Sequence, residues 1–494
     1  MHERYRPDSP ELVDPPAVQG GLEAHECAVR RDLDCLRAPA PNWLSSSCAD
    51  GLDADVLIVG AGMFGLSAAG SLMLRGVQHV RVLDRAPAGA EGPWRTWARM
   101  LTLRSPKVLP GLSFGMPSLT FRAWYEARFG AAAWQRLVKI PNATWHDYLA
   151  WVTRVLDVPV TNDFPVTRIV PSDDRVRVMT DDGRSMVGSR LVLATGRAGA
   201  GGFVVPDGVA TDLWPDRAAH SAEPIDFARL RGLAIAVIGA GASAWDNAAT
   251  ALEAGAERVT MFCRRAALPQ INKGRANANA GFFDGWAVLT DAQRWQMAHY
   301  LDRIQAPPPH ETVLRTVAWP TFEIRFSSPI ASAKRSGQGV ELTMHDGSRH
   351  YADFLLLGTG FRTDLDADPV LAPLAPRILR WRDVYEPPAD QRQTALAAMP
   401  YLGQDFGLRE VGADAPTPLA RIHLFNASSY LSHGPIALDI PSLTSAGTRI
   451  ATTLSSHLFA DDFDRQFARL QAWNDEHELA TTPFYSPEWV NRLP

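Results

Sequence analysis

The sequence predicts an α/β protein with two dinucleotide-binding units, and three observations lead to that prediction. Two apolar runs, each typical of a buried parallel strand, pass directly into a glycine-rich turn and then into a helical segment. The strand after each helix ends in ionisable side chains, an acid in one unit and two bases in the other. Each unit then runs through short strands to another apolar run ending in Thr-Gly. This repeat indicates two related nucleotide-binding domains.

The first unit turns through a G-x-G-x-x-G at residues 60–65. Gly60 permits the tight turn, Gly62 lets the backbone approach a pyrophosphate, and Gly65 lets the helix pack closely on the strand. The helix start directs unpaired N–H groups at the phosphates. Asp84 ends the next strand, 24 residues after the first glycine, where a carboxylate hydrogen-bonds a ribose hydroxyl. We therefore predict a Rossmann-like domain for a cofactor with an unmodified ribose.

The second unit has a G-x-G-x-x-A turn, in which Gly239 and Gly241 are followed by Ala244. The residue 24 positions after its first glycine is Cys263, so the acid of the first unit is missing here. Arg264 and Arg265 follow directly, and two guanidinium groups suit a 2′-phosphate through bidentate, charge-assisted hydrogen bonds. The alternative is a solvated pair of arginines at a strand end.

The remaining elements follow from apolar spacing and turn residues. Turns at residues 181–183 and 346–347 divide the two meanders of short strands. We predict helices over residues 23–36, 145–156, 291–304 and 443–457, the last with Ser442 as a candidate cap.

Charge and composition exclude several classes of protein. The net charge of −5, without a long basic run, argues against nucleic acid or an anionic membrane as a partner. No apolar run reaches transmembrane length, and the N-terminus lacks a signal core, so we expect a cytoplasmic protein. Four scattered cysteines without a C-x-x-C argue against a disulfide framework, a metal site and a dithiol centre.

Two nucleotide sites with opposite ribose preferences indicate a redox relay in which one cofactor stays bound and the other visits. Without a C-x-x-C to receive the electrons, the acceptor is a small molecule, O₂ or another protein. We expect a small-molecule substrate and leave the oligomeric state open, with a homo-oligomer as one option.

These motifs, in this order over roughly residues 53–361, resemble the class B flavin-dependent monooxygenases, which include N-hydroxylating, flavin-containing and Baeyer–Villiger branches. Residues 353–361 are similar to the D-x-x-x-L-A-T-G-Y of that family, with Gly358 in place of alanine and Phe361 in place of tyrosine. Residues 214–220 resemble its interdomain F-x-G-x-x-x-H motif, although Trp and Asp replace the phenylalanine and glycine.

The resemblance implies an α/β fold of glutathione-reductase type, with two Rossmann-like domains for FAD and NADPH and a helical insertion. It assigns FAD binding to Gly60, Gly62, Gly65, Asp84 and Trp94, and NADPH binding to Gly239, Gly241, Ser243, Ala244, Arg264 and Arg265. Further candidates for cofactor binding are Arg85, Thr195, Gly196, Thr359 and Gly360.

The length of 494 residues exceeds what one hydrophobic core serves. We predict an N-terminal extension over residues 1–52, a first part of the FAD domain over 53–200, an NADPH domain over 201–360 with an inserted segment at 266–320, and a second part of the FAD domain with a helical region over 361–494.

Two residues are candidates for catalysis. Arg104 falls where flavin-containing relatives often have asparagine beside the flavin, and a cation there would stabilise a peroxide anion; the alternative is a phosphate contact or a surface charge. His220 is a hinge residue or a cofactor contact, or else a satisfied histidine between domains.

A polar, cationic loop follows the second nucleotide unit. Its residues Asn272, Lys273 and Arg275 are weak candidates for holding an anionic part of the substrate or the NADPH phosphates. The alternative is a solvated loop.

By resemblance, NADPH reduces FAD, and the reduced flavin takes up O₂ to form a flavin hydroperoxide that passes one oxygen atom to a small molecule. N-hydroxylation or S-oxygenation is the favoured reaction. The alternatives are Baeyer–Villiger oxygenation of a ketone, a reductase that passes electrons to a partner protein, and a non-catalytic redox sensor.

Overall fold

A computed structural model describes residues 12–44 and 51–490. Parts of the N-terminal extension, residues 1–11 and 45–50, lie outside the described residues. The helices are α1 Gly21–Cys35, α2 Met63–Leu74, α3 Phe121–Phe129, α4 Ala131–Arg136, α5 Asn142–Val155, α6 Ala242–Glu253, α7 Ala280–Gly285, α8 Asp291–Ile304, α9 His310–Val317, α10 Thr394–Ala397, α11 Tyr430–His433, α12 Leu443–Asp461, α13 Phe463–Ala472 and α14 Pro487–Val490.

The strands, in chain order, are β1 Ala54–Val59, β2 Val80–Leu83, β3 Val160–Thr161, β4 Arg168–Pro171, β5 Val176–Met179, β6 Ser185–Leu193, β7 Gly201–Phe203, β8 Ala218–His220, β9 Ala234–Ile238, β10 Arg258–Phe262, β11 Phe322–Arg325, β12 Ile330–Ser336, β13 Gly339–Met344, β14 Arg349–Ala352, β15 Phe354–Leu357, β16 Phe361–Thr363 and β17 Ile422–Leu424.

The first sheet has the order β3-β2-β1-β6-β5-β4, and β17 pairs with β6. β1 lies between β2 and β6, parallel to both, and nearly every residue of it is buried, so both of its faces are covered. β4, β5 and β6 form the antiparallel meander that the turn at residues 181–183 predicted. The position of β1 places its carboxyl end, and the glycine turn that follows, at the middle of the sheet edge.

The second sheet is parallel throughout, with the order β11-β10-β9-β15-β8. β9 is fully buried and lies between β10 and β15, which is the arrangement of β1 in the first sheet. The antiparallel strands β12, β13 and β14 form the second meander. The predicted α/β class with two strand–turn–helix units is confirmed.

The chain returns to the first sheet after completing the second. β17 pairs with β6, and α12 packs along α2, where Ser67 Oγ donates to Leu443 O at 3.0 Å. A Cβ on Gly447 of α12 would lie 2.3 Å from Ser67 Oγ, so only glycine allows this close crossing. Two antiparallel strands, β7 and β16, carry the chain between the sheets, with Phe361 paired to Phe203. The domain limits that we drew from the sequence stay a prediction.

Most predicted helices are confirmed, with shifts at their ends. The helices expected over residues 23–36, 145–156 and 291–304 correspond to α1, α5 and α8. α12 extends four residues beyond the expected end at 457, because the buried residue Leu458 continues the apolar stripe of Leu454. The expected cap was wrong: Ser442 Oγ donates to Ile436 O and Asp439 O instead of accepting from the helix.

No described helix combines the length and the apolar content that crossing a bilayer requires. The cytoplasmic location stays a prediction.

At each glycine turn, a helix packs closely against the end of a strand. The glycine lies on the helix in the first unit and at the strand end in the second. In the first unit, Gly65 of α2 faces Ala194: a Cβ on Gly65 would lie 3.5 Å from the Ala194 Cβ, an ordinary contact, but it would overlap the carbonyl oxygen of Gly60. In the second unit, Ala244 of α6 faces Gly358, and a Cβ on Gly358 would lie 2.4 Å from the Ala244 Cβ. One small residue and one glycine meet at each contact. This exchange accounts for the departure at Gly358 from the motif that the sequence resembles.

We expect Gly358→Ala to destabilise the fold by about 2 kcal/mol, because the added methyl group overlaps Ala244. Ala244→Gly should cost about 1 kcal/mol through lost helix propensity. The double variant should cost about 1 kcal/mol and not the sum, because it restores the arrangement of the first unit. Urea unfolding of the four proteins measures this coupling, and additive losses would contradict the exchange.

Candidate cofactor and substrate site

The first glycine turn leaves room for a phosphate group. Gly60 has φ of +105°, and a Cβ there would lie 2.5 Å from Ala194 O, so the tight turn requires glycine. A Cβ on Gly62 would meet a single atom within 4 Å, Cα of Gly92 at 3.9 Å. Helix α2 starts at Met63 without a side-chain cap, so its first N–H groups are available to an anion.

Asp84 lies where the sequence placed it, at the end of β2 and beside this turn. Its side chain is buried, and its two carboxylate oxygens accept from Ala61 N at 2.6 Å and from Ala86 N at 2.8 Å. Each oxygen keeps a further lone pair for a ribose hydroxyl. Arg85, the next residue, is exposed.

Polar atoms of three buried side chains near this turn lack a hydrogen-bond partner among the described residues: Trp94 Nε1, Thr102 Oγ1 and Asn142 Oδ1. Trp94 lies close to the glycine turn, because a Cβ on Gly92 would lie 3.6 Å from Trp94 Cδ1 and 3.7 Å from Gly62 Cα. Asn142 holds the same segment by donating to Trp94 O at 2.7 Å. Unpaired buried groups are costly, so these atoms fit a ligand whose ring carries donors and acceptors, as FAD does.

The second glycine turn repeats this geometry. Gly239 has φ of +107°, and a Cβ there would lie 2.4 Å from Gly358 O. A Cβ on Gly241 would meet no atom within 4 Å, and Ser243 in the first turn of α6 is exposed. The cradle at the start of α6 is therefore open to a second nucleotide.

Arg264 and Arg265 follow the end of β10, next to the second cradle. Arg264 is exposed and Arg265 is half-buried, whereas Cys263 before them is buried. Within residues 12–44 and 51–490, neither guanidinium group has a side-chain hydrogen bond or an ion pair. Two unpaired guanidinium groups beside an open cradle fit the 2′-phosphate of NADPH.

The two Thr-Gly pairs shape the chain as it leaves each sheet. Thr195 Oγ1 donates to Gly199 O at 3.0 Å, and Thr359 Oγ1 donates to Val204 O. The glycine after each threonine has a positive φ, +70° and +82° respectively. Both hydroxyl groups already have protein partners, so their assignment to cofactor binding stays a prediction.

Arg104 is half-buried and donates from Nη2 to Pro307 O at 2.9 Å. Burial lowers the pKa of Arg104, the neighbouring cations Arg275 and Arg197 lower it further, and Asp439 opposes them. Glu311 opposes them as well. Arg197 pairs with Asp439 at 2.7 Å, and Glu311 pairs with Lys139, so both acids near Arg104 also face another cation. The structure thus brings Arg104 and one predicted substrate residue into the same electrostatic neighbourhood.

The loop of predicted substrate residues forms a short 3₁₀ helix, Lys273–Asn277. Lys273 and Arg275 are exposed and Asn272 is half-buried. Of the three, Arg275 is the one whose charge acts on Arg104. A role in holding substrate stays a prediction for all three residues.

His220 ends β8 and is fully buried. Its ring stacks on Phe203 at 4.5 Å and meets the edge of Phe361 at 5.8 Å, and Nδ1 accepts from Ala222 N at 3.1 Å. Burial lowers the pKa of His220 to about 4, so the ring is neutral at neutral pH. These contacts favour the hinge alternative, because the two phenylalanines belong to the strands that connect the sheets. The catalytic role stays a prediction.

Thr102 and Asn142 were not predicted as site residues from the sequence, although Thr102 lies two residues before the candidate Arg104. The sequence also carried no signal for two arginines, Arg99 and Arg315, whose contacts join the two nucleotide units and are described below.

Comparisons with known proteins agree with this geometry. The pyridine nucleotide-disulphide oxidoreductase family model matches residues 57–276. An FAD-dependent urate hydroxylase from Xanthomonas campestris pv. campestris is 39% identical over 441 residues, which cover 88% of this chain and 93% of that protein.

Solved structures share the fold at low identity. The ornithine hydroxylase PvdA from Pseudomonas aeruginosa and the L-lysine 6-monooxygenase from Pseudomonas syringae are each 19% identical, with a TM-score of 0.62. Each match covers 82% of this chain and 99% of the solved chain. The ornithine N-hydroxylase KtzI from Kutzneria sp. 744, solved with reduced FAD, NADP⁺ and L-ornithine, matches equally well.

We expect the stability of the protein to fall as the pH drops from 6.5 toward 4, partly because of His220. The unfolded chain takes up a proton near pH 6.5, whereas the buried ring resists it until about 4. By pH 5 this difference costs about 2 kcal/mol. His220→Asn, which keeps an acceptor for Ala222 N, should flatten the pH dependence by that amount.

Urea unfolding at pH 7 and pH 5 measures the effect. His345→Asn, at an exposed position, is the matched control and should leave the pH dependence unchanged. If the free energy of unfolding fell equally between pH 7 and pH 5 in wild type and in His220→Asn, the lowered pKa of His220 would be contradicted.

Proposed function

We propose that this chain, which belongs to the class B flavin-dependent monooxygenases and uses FAD and NADPH, hydroxylates urate or a closely related oxopurine anion. The observation that carries the proposal is the 39% identity, over nine-tenths of both chains, to a protein named as an FAD-dependent urate hydroxylase. The expected flavin monooxygenase and its two cofactors are confirmed, whereas the substrate is our inference.

The charges around Arg104 support an anionic substrate. Urate is planar and carries one negative charge at neutral pH, and a guanidinium group offers a planar fork of donors to such an anion. The exposed Arg275 adds a second positive charge nearby. The same charges disfavour a protonated amine, because like charges repel strongly in a half-buried site.

The N-hydroxylation that the sequence analysis favoured is the reaction of several proteins that share the fold, namely the ornithine and lysine monooxygenases. Their identity to this chain is half that of the urate hydroxylase. We therefore place the oxopurine first and keep amines as the competing outcome of the test.

The residues that would hold the cofactors follow from the two cradles. Gly60, Gly62 and the start of α2 would hold the FAD pyrophosphate, and Asp84 would accept from its ribose. Gly239, Gly241 and the start of α6 would do the same for NADPH. Bound FAD supplies hydride acceptance from NADPH and the activation of O₂.

The overall reaction balances as urate, O₂, NADPH and one proton giving hydroxylated urate, NADP⁺ and water. One oxygen atom enters the product, the other becomes water, and NADPH provides the two electrons. Arg104 would orient the anion, and its bond to Pro307 O holds the guanidinium group in place. The residues of the chain therefore bind and position, and the cofactors carry the redox chemistry.

We expect the full-length protein, loaded with FAD, to consume NADPH and O₂ in response to urate and to give a product heavier by one oxygen atom. Ornithine, lysine and cadaverine serve as competing substrates, and H₂O₂ is measured alongside to score uncoupled turnover. Arg104→Met should raise the KM for urate about 10- to 100-fold, because it removes a charge-assisted contact. Arg104→Lys keeps the charge and should raise the KM less. Oxygen transfer to an amine without turnover of urate would contradict the proposal.

A second prediction concerns the preference for NADPH. Arg264→Ser together with Arg265→Ser should raise the KM for NADPH at least 10-fold and leave the KM for NADH nearly unchanged, because only NADPH carries the 2′-phosphate. Arg258→Ser, on the exposed start of the same strand, is the matched control. Equal changes for both nucleotides would show that the two arginines do not bind the phosphate.

A further inference from the structure

We propose that Arg99 and Arg315 are positioning residues that fix the nucleotide helix α6 against the segment carrying Trp94 and Arg104, and so set the geometry of hydride transfer. The proposal depends on the use of NADPH and FAD and not on the identity of the oxygenated substrate.

Arg315 lies on α9 and is 5% exposed. Its Nε and Nη2 donate to the two carboxylate oxygens of Glu253, both at 2.6 Å, and Nη2 also donates to Thr250 Oγ1 at 3.0 Å. Asp246 Oδ1 lies 4.0 Å from Nη1. These three partners stand at intervals of three and four residues on one face of α6, so a single guanidinium group contacts that helix from its second turn to its last residue.

The same guanidinium group reaches the other nucleotide unit. Arg315 Nη1 donates to Arg99 O at 3.2 Å, in the segment that leads from Trp94 to Arg104. Arg315 therefore contacts the helix that starts at the NADPH cradle and the segment beside the FAD cradle with the two ends of one planar group.

Arg99 extends the connection to the segment between β8 and β9 of the second sheet. Its guanidinium group donates to Ser221 O at 2.7 Å and to Glu223 O at 2.6 Å, and it lies over the Phe227 ring at 5.0 Å. No carboxylate within the described ranges pairs with it, so its partners are backbone carbonyl groups whose positions the fold sets. Burial lowers the pKa of Arg99 to about 10, and the group remains charged at neutral pH.

Two further contacts hold the same boundary. Lys139 pairs with Glu311 at the start of α9, and Arg104 donates to Pro307 O just before it. With the bond from Arg315 to Arg99 O, three contacts therefore attach α9 and the residues just before it to the FAD-binding unit. Arg315 is the point at which the attachment also includes α6.

Hydride transfer is sensitive to small displacements, because the reacting atoms need to approach within about 3–3.5 Å, and a 1 Å misplacement can cost about 100-fold in rate. A guanidinium group presents several donors in a rigid plane, whereas an ammonium group is a point charge on a flexible stem. Replacement of either arginine by lysine keeps the charge but removes the fork. The lysine variants therefore test positioning without leaving a buried carboxylate unpaired.

Arg315→Met alone would leave the buried Asp246 and the half-buried Glu253 without a counter-charge, and such a variant is at risk of misfolding. A second variant, Arg315→Met with Glu253→Gln, removes both charges of the pair. It tests the proposal if the lysine of Arg315→Lys still holds α6 in place.

The experiment mixes FAD-loaded full-length protein with NADPH without oxygen and follows the loss of flavin absorbance. We expect Arg99→Lys and Arg315→Lys to reduce the flavin 10- to 100-fold more slowly, with an NADP⁺ Kd within threefold of wild type and an unchanged melting temperature. Hydrogen exchange of the protein without NADPH should be faster over residues 95–104 and 220–227. Arg325→Lys is the matched control, because Arg325 is an exposed arginine that pairs with Glu323 on β11 of the second sheet.

Flavin reduction within twofold of wild type would overturn the proposal, and so would a slower reduction that merely follows weaker NADP⁺ binding or lost FAD. Because the measurement involves no oxygenated substrate, its failure is distinguishable from a failure of the urate proposal.

Discussion

The close approach of a helix to a strand end at each glycine turn is the constraint on which the rest of the structure depends. A cradle for a dinucleotide exists only if the first N–H groups of the helix lie directly above the carboxyl end of the central strand. At Gly60 and Gly239 a positive φ makes the turn, and at Gly65 and Gly358 the missing side chain permits the contact. The two units place the glycine on opposite sides of the contact. At Gly358 a side chain would overlap Ala244, whereas at Gly65 it would overlap the carbonyl oxygen of Gly60.

The two cradles differ in charge, and that difference organises the functional site. A buried carboxylate follows β2, and β10 is followed by two guanidinium groups without a side-chain partner among the described residues, so each cradle suits a different ribose. A third group of charges lies around Arg104. The chain is acidic overall, with a net charge of −5, yet the positions that would meet an anion carry a local excess of arginine. Net charge therefore describes the surface as a whole and does not describe the site.

Much of the fold and part of the site could be predicted from the sequence, because a strand, a glycine turn and a helix are consecutive in the chain and their spacing is diagnostic. Asp84 and the glycines lie where the spacing placed them. The unpaired atoms of Thr102 and Asn142, and the contacts of Arg99 with Arg315, could not be predicted. They depend on segments up to about two hundred residues apart that meet only after both sheets have formed. The capping role expected for Ser442 was wrong for a local reason: carbonyl groups of the preceding turn, those of Ile436 and Asp439, accept from its hydroxyl.

The paired strands β7 and β16 have a consequence for the integrity of the molecule. The polypeptide passes from one sheet to the other twice, and the two passages hydrogen-bond to each other. Cleavage of a single peptide bond in either passage would leave the two halves joined covalently through the other one and aligned by their ladder. A protein of this architecture cut once would keep the two cradles in the same relative position. In a chain with a single crossing, one cut would separate the two units covalently.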